Sequence, residues 1–386
     1  MGIKKLRKFL QDKHPQVFEE VHISQFQYKK VAVDISCYVH KYKHAVYNEE
    51  HKNEYKYLEM FIRFLGTMRE NNIHCIFVYD KPKGAPKEKE AEQKKRRVIV
   101  DTARAKLEKL IFDFEQYQLT GEISPFLLEI QKGHEIPSLL PGVVTLNEAY
   151  IRAKIASLGK QVVPITARDF QFTKEILGIL NIPFIESYSE SEKTCAELCI
   201  KGMVDAVMSE DTDLMAHGCP LLLSKLDTTD GLCCSTTHAA ILEALELTEN
   251  QFLDFCIMCG TDYNLSIPKV GAVTSYNLIK KHGSIEKVGK NTHHDVNVFN
   301  APKTRLLLKQ KERIVGKVPY CGRPNMEKLE KFLKINGLFL QERYLSSFQP
   351  KIRVVRPQEQ SDRVEKSVIK VTVEETEEEE IILEDD

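Results

Sequence analysis

Two short acidic clusters in the chain each place two carboxylates one residue apart. Residues 189–192 read Ser-Glu-Ser-Glu and residues 210–213 read Glu-Asp-Thr-Asp, each soon after a short apolar run. Clustered carboxylates repel one another and lose solvation, so a fold tolerates them mainly beside a compensating cation. Oxygen ligands suit Mg²⁺ or Mn²⁺ better than zinc. Two such pairs are the raw material of a two-metal site that cleaves phosphodiester bonds.

Both clusters also have a purely structural interpretation. Ser189 and Glu192 match a capping box, in which the serine caps a helix and the glutamate bonds back to the serine amide. Asp211 and Asp213 are equally typical of a turn followed by a helix N-cap. Because capping and metal binding are compatible, the choice depends on whether further acids lie at the same place in the fold.

Short apolar runs predict the elements that position these acids. Strand-like runs cover residues 31–35, 73–79, 181–185, 204–208 and 220–223. Since helical stretches separate them, they predict a mainly parallel α/β sheet. Polar functional groups in such sheets gather at the carboxyl ends of the strands.

Six acids fall at the ends of these predicted strands. They are Asp34, Asp80, Glu190, Glu192, Asp211 and Asp213. Asp34 lies within the apolar run itself, where a lone carboxylate is rare because desolvation penalises its charged form. Asp34 could instead cap the next helix. Six acids at the strand ends of one parallel sheet nevertheless predict a shared crevice.

Composition and charge set the limits of the fold and its partners. The 386 residues, 42% of them hydrophobic, can form one large or two ordinary domains. The net charge of −1 hides a split, because residues 357–386 carry twelve acids and three bases, a balance of −9. The remaining 356 residues therefore carry +8. A basic body with an acidic tail is typical of proteins that meet polyanions.

The ten cysteines and the apolar segments predict a soluble intracellular protein. The cysteines show no secreted disulfide pattern and follow no signal peptide. Cys256 and Cys259 lie in an apolar helical run without a second knuckle, which argues against zinc. No apolar stretch approaches the roughly 18 residues of a membrane span, so no membrane contact is expected.

A basic run follows Asp80. Residues 81–109 contain eleven Lys or Arg and five acids, including Lys94, Lys95, Arg96 and Arg97 in sequence. A solvated helix face would explain such a run. Its place directly after Asp80 instead favours a basic helix that holds phosphates beside the crevice. A second basic region, residues 280–317, follows a turn that contains Gly271.

The order of these motifs resembles the flap endonuclease and XPG superfamily of structure-specific 5′ nucleases. The resemblance covers residues 1–350 and is poor in the middle. It rests on the opening Met-Gly-Ile, on the runs around Asp34 and Asp80, on the two acidic clusters, and on Cys-Gly-Thr-Asp-Tyr at residues 259–263. The departures from the family pattern suggest a divergent member, such as one encoded by a large DNA virus.

The resemblance implies a PIN-like 5′ nuclease core with a helical arch and a helix–two-turn–helix DNA-binding element. The α/β core is expected in residues 1–110 and 164–350, with the helix–two-turn–helix at about 264–290. Residues 111–163 would form an extended arch or insert of uncertain structure. Residues 351–386 are expected to be an acidic, disordered tail.

The resemblance also assigns a two-Mg²⁺ site, in which Mn²⁺ could substitute. One ion would be organised by Asp34, Asp80, Glu190 and Glu192. The other would be organised by Glu192, Asp211, Asp213 and Asp262, of which Asp211 is also assigned a catalytic role. Lys87 and Lys94 match positions where the family places cations against the scissile phosphate. The family usually has Arg at position 94, and Lys lacks its bidentate fork.

Further positions are expected to contact DNA. They are Gly2, His40, Arg96, Arg97, Lys269 and Gly271. His40 stands where an aromatic residue usually stacks on DNA, and His stacks less extensively. Lys269 stands where a second Gly is usual in the helix–two-turn–helix, so the sequence does not decide whether this element binds a K⁺ ion.

The predicted activity is Mg²⁺-dependent endonuclease cleavage at 5′ flaps, nicks or junctions in DNA replication, repair or recombination. A 5′ exonuclease, or a nuclease for bubbles or four-way junctions, is an alternative within the class. An inactive scaffold that binds RNA or protein, or an RNA-directed nuclease, is an alternative outside it. We expect a monomer without a recognisable sliding-clamp peptide, in the nucleus, or in the host nucleus or cytoplasm if viral.

Overall fold

A central mixed sheet organises the chain in the computed structural model, which describes residues 2–46, 54–81, 89–136, 144–349 and 370–373. Within these ranges the sheet has seven strands. They are β1 (Glu19–His22), β2 (Lys30–Asp34), β3 (His74–Tyr79), β4 (Phe184–Glu186), β5 (Ala206–Met208), β6 (Leu221–Ser224) and β7 (Leu232–Thr237).

The strand order is β1-β7-β6-β5-β2-β3-β4. The five strands from β6 to β4 pair in parallel, whereas β7 and β1 add an antiparallel edge. The prediction of a mainly parallel α/β sheet is therefore confirmed, and the antiparallel edge is an addition to it. A second, two-stranded sheet pairs β8 (Glu312–Val315) with β9 (Lys370–Val373).

Helices cover both faces of the central sheet. The first eight are α1 (Leu6–Lys13), α2 (Ile35–Val46), α3 (Tyr57–Glu70), α4 (Glu90–Thr120), α5 (Pro125–Gln131), α6 (Glu148–Val162), α7 (Ala167–Ile179) and α8 (Ser191–Ile200). The next eight are α9 (Asp213–Ala216), α10 (His238–Leu245), α11 (Glu249–Cys259), α12 (Ala272–His282), α13 (Ile285–Asn291), α14 (Ala301–Lys309), α15 (Met326–Ile335) and α16 (Glu342–Ser346). No described helix is long and apolar enough to cross a membrane.

Alternating side chains of the inner strands build a core on each face. In β2, Ala32 packs with α1, α8 and α11, whereas Val31 and Val33 pack with α2, α3 and α7. Successive strand side chains point to opposite faces, and both faces are covered, so the run reads as continuously apolar. This burial on both sides holds the carboxyl ends of β2 and β3 in fixed positions.

Helices α4, α5 and α6 form a separate helical unit with its own small core. Its buried apolar residues include Leu107, Leu110, Phe114, Leu127 and Ile151. Helix α4 runs through the boundary that we expected at residue 110, so the helical unit starts earlier than predicted. The long basic run and the uncertain insert therefore belong to one structural unit.

The structure describes the predicted helix–two-turn–helix region and part of the predicted acidic tail. The predicted helix–two-turn–helix region contains α12 and most of α13, and residues 260–271 join α11 to α12. Within the expected disordered tail, residues 370–373 differ from the prediction, because they form β9 against β8. The sequence Lys-Val-Thr-Val is rich in β-branched residues, which favour strands.

Candidate active site

Asp34 and Asp80 lie side by side at the carboxyl ends of β2 and β3. Asp34 is 2% exposed. Its Oδ1 accepts hydrogen bonds from the Ser191 hydroxyl at 2.8 Å and the Ser36 amide at 3.1 Å, and its Oδ2 accepts one from the Ser209 hydroxyl at 3.0 Å. Asp80 accepts bonds from the Ser36 hydroxyl at 2.6 Å and the Ser191 amide at 2.7 Å. The two serines that bond to both acids fix their separation.

The first acidic cluster begins helix α8. Glu190 is the N-cap residue and makes no side-chain cap bond, and the Ser191 amide at the helix start points to Asp80. The capping-box interpretation of Ser189 is therefore wrong. Its hydroxyl instead donates to Glu312 at 2.9 Å. Glu192 faces the crevice from the first turn of the helix.

The second acidic cluster lies where β5 leads into α9. Asp211 Oδ1 accepts a hydrogen bond from the Asp213 amide at 2.9 Å, so the turn interpretation and the site coexist. Asp213 is 1% exposed, and its Oδ1 has no hydrogen-bond partner among the described residues. Gly2 packs against this turn with φ +80°, and a Cβ there would overlap Asp211 Oδ1. The structure thus brings Gly2 to the second cluster.

Two cationic side chains near the start of α4 contact the carboxylates of the site. Lys89 Nζ forms an ion pair with Glu190 and lies 3.3 Å from Glu192 and 3.9 Å from Asp262. Arg96 places one guanidinium nitrogen 2.8 Å from both carboxylate oxygens of Asp262. The chain thus supplies positive charge of its own to the carboxylates.

Six of the seven predicted metal-binding acids line one cleft of about 300 Å³. They are Asp34, Asp80, Glu190, Glu192, Asp211 and Asp262. Asp213 is buried and does not line the cleft. His40 also lines the cleft, together with one face of α4. The prediction that strand-end acids share a crevice describes this arrangement.

Burial and mutual repulsion disfavour ionisation of these acids. Burial, followed by the charge of Asp80, raises the pKa of Asp34 to about 6. Burial also raises the pKa of Glu192, although Lys89 opposes it. The pKa of Asp213 rises through burial and then through Asp211. Full ionisation of the site therefore calls for more positive charge than its own cations supply.

The seven carboxylates fit hard divalent cations, although they do not form a complete coordination shell. The seven carboxylates offer oxygen ligands of the kind that Mg²⁺ and Mn²⁺ take. One of them, Asp213, has a buried oxygen without a hydrogen-bond partner among the described residues. Among the described residues no three carboxyl, imidazole or thiol groups converge as a ready metal site. The ammonium of Lys89 pairs with both Glu190 and Glu192 as a counter-ion.

The remaining predicted positions divide into three groups. Lys87 lies outside the described residues. Lys94 and Arg97 are exposed on α4 and do not line the cleft. Lys269 has φ +65°, the left-handed backbone that usually selects Gly, and Gly271 is the N-cap residue of α12. Both helix–two-turn–helix positions lie at the start of α12 and do not line the cleft, although the connection before α12 also carries Asp262, which does.

Sequence reasoning missed three kinds of site residue. Lys89 was one basic residue among eleven. Tyr263, next to Asp262, donates its hydroxyl to Glu190. Serines such as Ser191 and Ser209 hold Asp34. The available signal was Asp-x-Ser after β2 and Ser-x-Asp after β5, because short hydroxyl side chains bond readily to nearby carboxylates.

Comparison with known proteins identifies the family. Residues 1–103 match the XPG N-terminal domain and residues 181–262 match the XPG I-region. A probable RAD2-like endonuclease of Invertebrate iridescent virus 6 is 31% identical over 312 residues, which cover 75% of this chain and 74% of the viral protein. The chain belongs to the XPG family.

Other XPG-family relatives agree with this placement. Flap endonuclease 1 of Danio rerio is 30% identical over 312 residues, covering 78% of this chain and 71% of that protein. The catalytic core of Rad2 in complex with DNA substrate has the same fold, with a TM-score of 0.57 at 16% identity over 87% of this chain and 95% of that chain. This XPG-family chain is a nuclease, which hydrolyses phosphodiester bonds.

The raised pKa of Asp34 predicts a pH-dependent stability of the metal-free XPG-family chain. Because this pKa rises from 3.8 to about 6 on folding, the ionised group destabilises the fold above pH 6, and protonation relieves the cost as the pH falls toward 4. Asp34→Asn should therefore raise the free energy of unfolding in EDTA by about 1–3 kcal/mol at pH 7.5 and by less at pH 5. Urea titrations at both pH values measure this difference.

Asp12→Asn is the matched control, because Asp12 is an exposed carboxylate on α1. It should change the free energy of unfolding equally at both pH values. An Asp34→Asn protein whose gain is the same at pH 5 and pH 7.5 would contradict the prediction.

Proposed function

We propose that this chain is a Mg²⁺-dependent, structure-specific DNA endonuclease that cuts at 5′ flaps or related junctions. The observation that carries the proposal is the single cleft in which strand-end acids from distant parts of the chain meet the cationic face of α4. Relatives named flap endonuclease 1 and RAD2-like endonuclease support the choice of substrate class. All seven acids that the resemblance requires are present, which disfavours an inactive scaffold.

The carboxylates of the cleft would hold two divalent ions. The proposed ligands are Asp34, Asp80, Glu190, Glu192, Asp211, Asp213 and Asp262. When bound, such ions supply an activated water and stabilise charge on the attacking and leaving oxygens. The serines that bond to Asp34 and Asp80 orient those carboxylates, and the raised pKa values of Glu192 and Asp213 support a site that takes up added positive charge.

Helix α4 would present the cations that face the scissile phosphate. Lys89, Glu92, Gln93 and Arg96 line the cleft at the i, i+3, i+4 and i+7 spacing of one helix face. Lys89 and Arg96 bond to carboxylates here, so an entering phosphate would compete with Glu190 and Asp262 for them. His40, at the same cleft, offers a ring for stacking against a base.

The connection between α11 and α12 would hold the duplex beside the cleft. Lys269 adopts a left-handed backbone conformation before Gly271 and the start of α12. Helix N-termini favour phosphate through their free amides and dipole. We extend the proposal to a monomer that acts on DNA in the nucleus, or in the host nucleus or cytoplasm if the chain is viral.

A cleavage assay tests the proposed function. The full chain should cut a 5′-flap duplex with Mg²⁺ or Mn²⁺ and stop when EDTA is added. Single-stranded DNA and a flap made of RNA are the matched substrates, and bubble, nicked and four-way DNA rank the preference. Equal cutting of all DNA forms would contradict structure specificity, and cutting of RNA alone would favour the RNA-directed alternative.

A further inference from the structure

Glu312 is a buried carboxylate that does not line the cleft. It lies on β8, a strand outside the central sheet, and is 1% exposed. Burial raises its pKa, although the hydroxyls of Thr194 and Ser189 and the charge of Lys193 oppose this. Replacing a buried ionic network as a whole by well-packed apolar residues is often neutral or stabilising. Stability alone therefore gives little reason for a carboxylate here.

The two oxygens of Glu312 bind on either side of the first acidic cluster. Ser189, directly before Glu190, donates its hydroxyl to Oε1 at 2.9 Å. Thr194, two residues after Glu192, donates its hydroxyl to Oε2. One carboxylate thus bonds to both ends of the segment that contributes Glu190 and Glu192 to the cleft.

A second contact fixes β8 itself against α8. Lys201, just after the last residue of α8, donates from Nζ to the backbone carbonyl of Glu312 at 2.7 Å. The start of α8 is thereby held through side-chain hydroxyls, and its end through the strand backbone. Glu190 and Glu192 repel each other, so a tether outside the cleft opposes their separation.

We infer that Glu312 is a positioning residue, which holds the segment from Ser189 to Thr194 so that Glu190 and Glu192 keep their place in the cleft. This inference rests on the proposed function, because it concerns the same site. Ligating carboxylates are themselves hydrogen-bonded, and loss of such partners typically lowers metal affinity or activity about 10–100-fold. Glu312 acts through Ser189 and Thr194, which flank Glu190 and Glu192 in the chain.

Replacement of Glu312 tests this role in the full chain. Glu312→Ala removes both acceptors and should lower kcat for 5′-flap cleavage about 10–100-fold, with KM for DNA within about twofold. Glu312→Gln keeps the shape and one carbonyl oxygen, so it should recover part of the loss. Val315→Thr, on the exposed face of the same strand, is the matched control and should cut normally.

Two further readouts separate positioning from general stability. Hydrogen exchange without metal or DNA should show faster exchange of the amides of residues 190–194 in Glu312→Ala than in Val315→Thr. Ser189→Ala should add little to the loss of kcat in the Glu312→Ala background, because the two residues act through one contact. Additive effects, or exchange rates that do not change, would overturn the inference.

The readouts also separate this inference from the proposed function. If the wild-type chain cuts no substrate, the proposed function fails, whereas the exchange rates still decide whether Glu312 holds the segment. If the wild type cuts and Glu312→Ala cuts equally well, the positioning role fails while the proposed function stands.

Discussion

Replacement of Asp211 by alanine is expected to lower the cleavage rate of a 5′-flap substrate about a thousandfold while DNA binding persists. Asp211 lies in the cleft and is oriented by the Asp213 amide, so on the proposed mechanism its loss would remove one of the metal ligands. Metal ions supply several kcal/mol of charge stabilisation in phosphoryl transfer, which corresponds to this factor. Single-turnover cleavage measures the loss, and fluorescence anisotropy measures the Kd for DNA in Ca²⁺.

The neighbouring acid Glu210 provides a matched control. It accepts from Lys41 Nζ at 2.8 Å and from the Lys225 amide at 3.0 Å, and it does not line the cleft. Glu210→Gln should therefore cut within about twofold of the wild type.

Stability in EDTA separates lost chemistry from lost folding. Because burial raises the pKa of Asp211, Asp211→Ala should not lower the melting temperature of the metal-free chain. Normal cleavage by a folded Asp211→Ala protein would falsify the two-metal assignment.

The central sheet could be predicted because its strands are buried on both faces. Such strands appear as continuous apolar runs, and β2 and β3 follow that rule. Strands β1 and β7 lack a continuous apolar run, since residues 19–22 read Glu-Glu-Val-His and residues 232–237 read Leu-Cys-Cys-Ser-Thr-Thr. Their pairing depends on contacts between distant parts of the chain, which local patterns do not contain.

The acids of the site could be predicted for a related reason, whereas their supports could not. A carboxylate at the end of a buried strand is a local signal, as at Asp34. Glu312 lies more than a hundred residues from Ser189 in a segment of mixed polarity, so its contact depends on tertiary packing. The capping-box pattern at Ser189 was misleading because that distant carboxylate takes the hydroxyl instead.

The cations of α4 show the limit of spacing arguments. Lys87 and Lys94 are seven residues apart, and so are Lys89 and Arg96, so a two-turn helical spacing selects either pair. Which of the described side chains on α4 faces the cleft depends on the rotation of the helix about its axis. The structure orients Lys89 and Arg96 toward Glu190 and Asp262, whereas Lys94 does not line the cleft.

Lys89→Met is accordingly expected to lower kcat for flap cleavage about a hundredfold, whereas Lys94→Met should stay within about threefold of the wild type. Removal of one preorganised group that faces developing charge typically costs this factor. Burial opposes the charged form of Lys89, yet Glu192, Glu190 and Asp213 outweigh it and raise its pKa, so the ammonium stays charged throughout the assay range. Single-turnover rates from pH 6.5 to 9 measure the loss.

The two substitutions are matched controls for each other, because both remove one lysine from the same basic stretch. A general loss of attraction to DNA would raise KM in both proteins and disappear at high DNA concentration. A specific role at the scissile phosphate would lower kcat in Lys89→Met alone. The reverse result, with Lys94→Met inactive and Lys89→Met normal, would show that α4 turns its other face to bound DNA. The ion pairs of Lys89 would then describe the protein without substrate, and the family spacing from Asp80 would identify the correct pair.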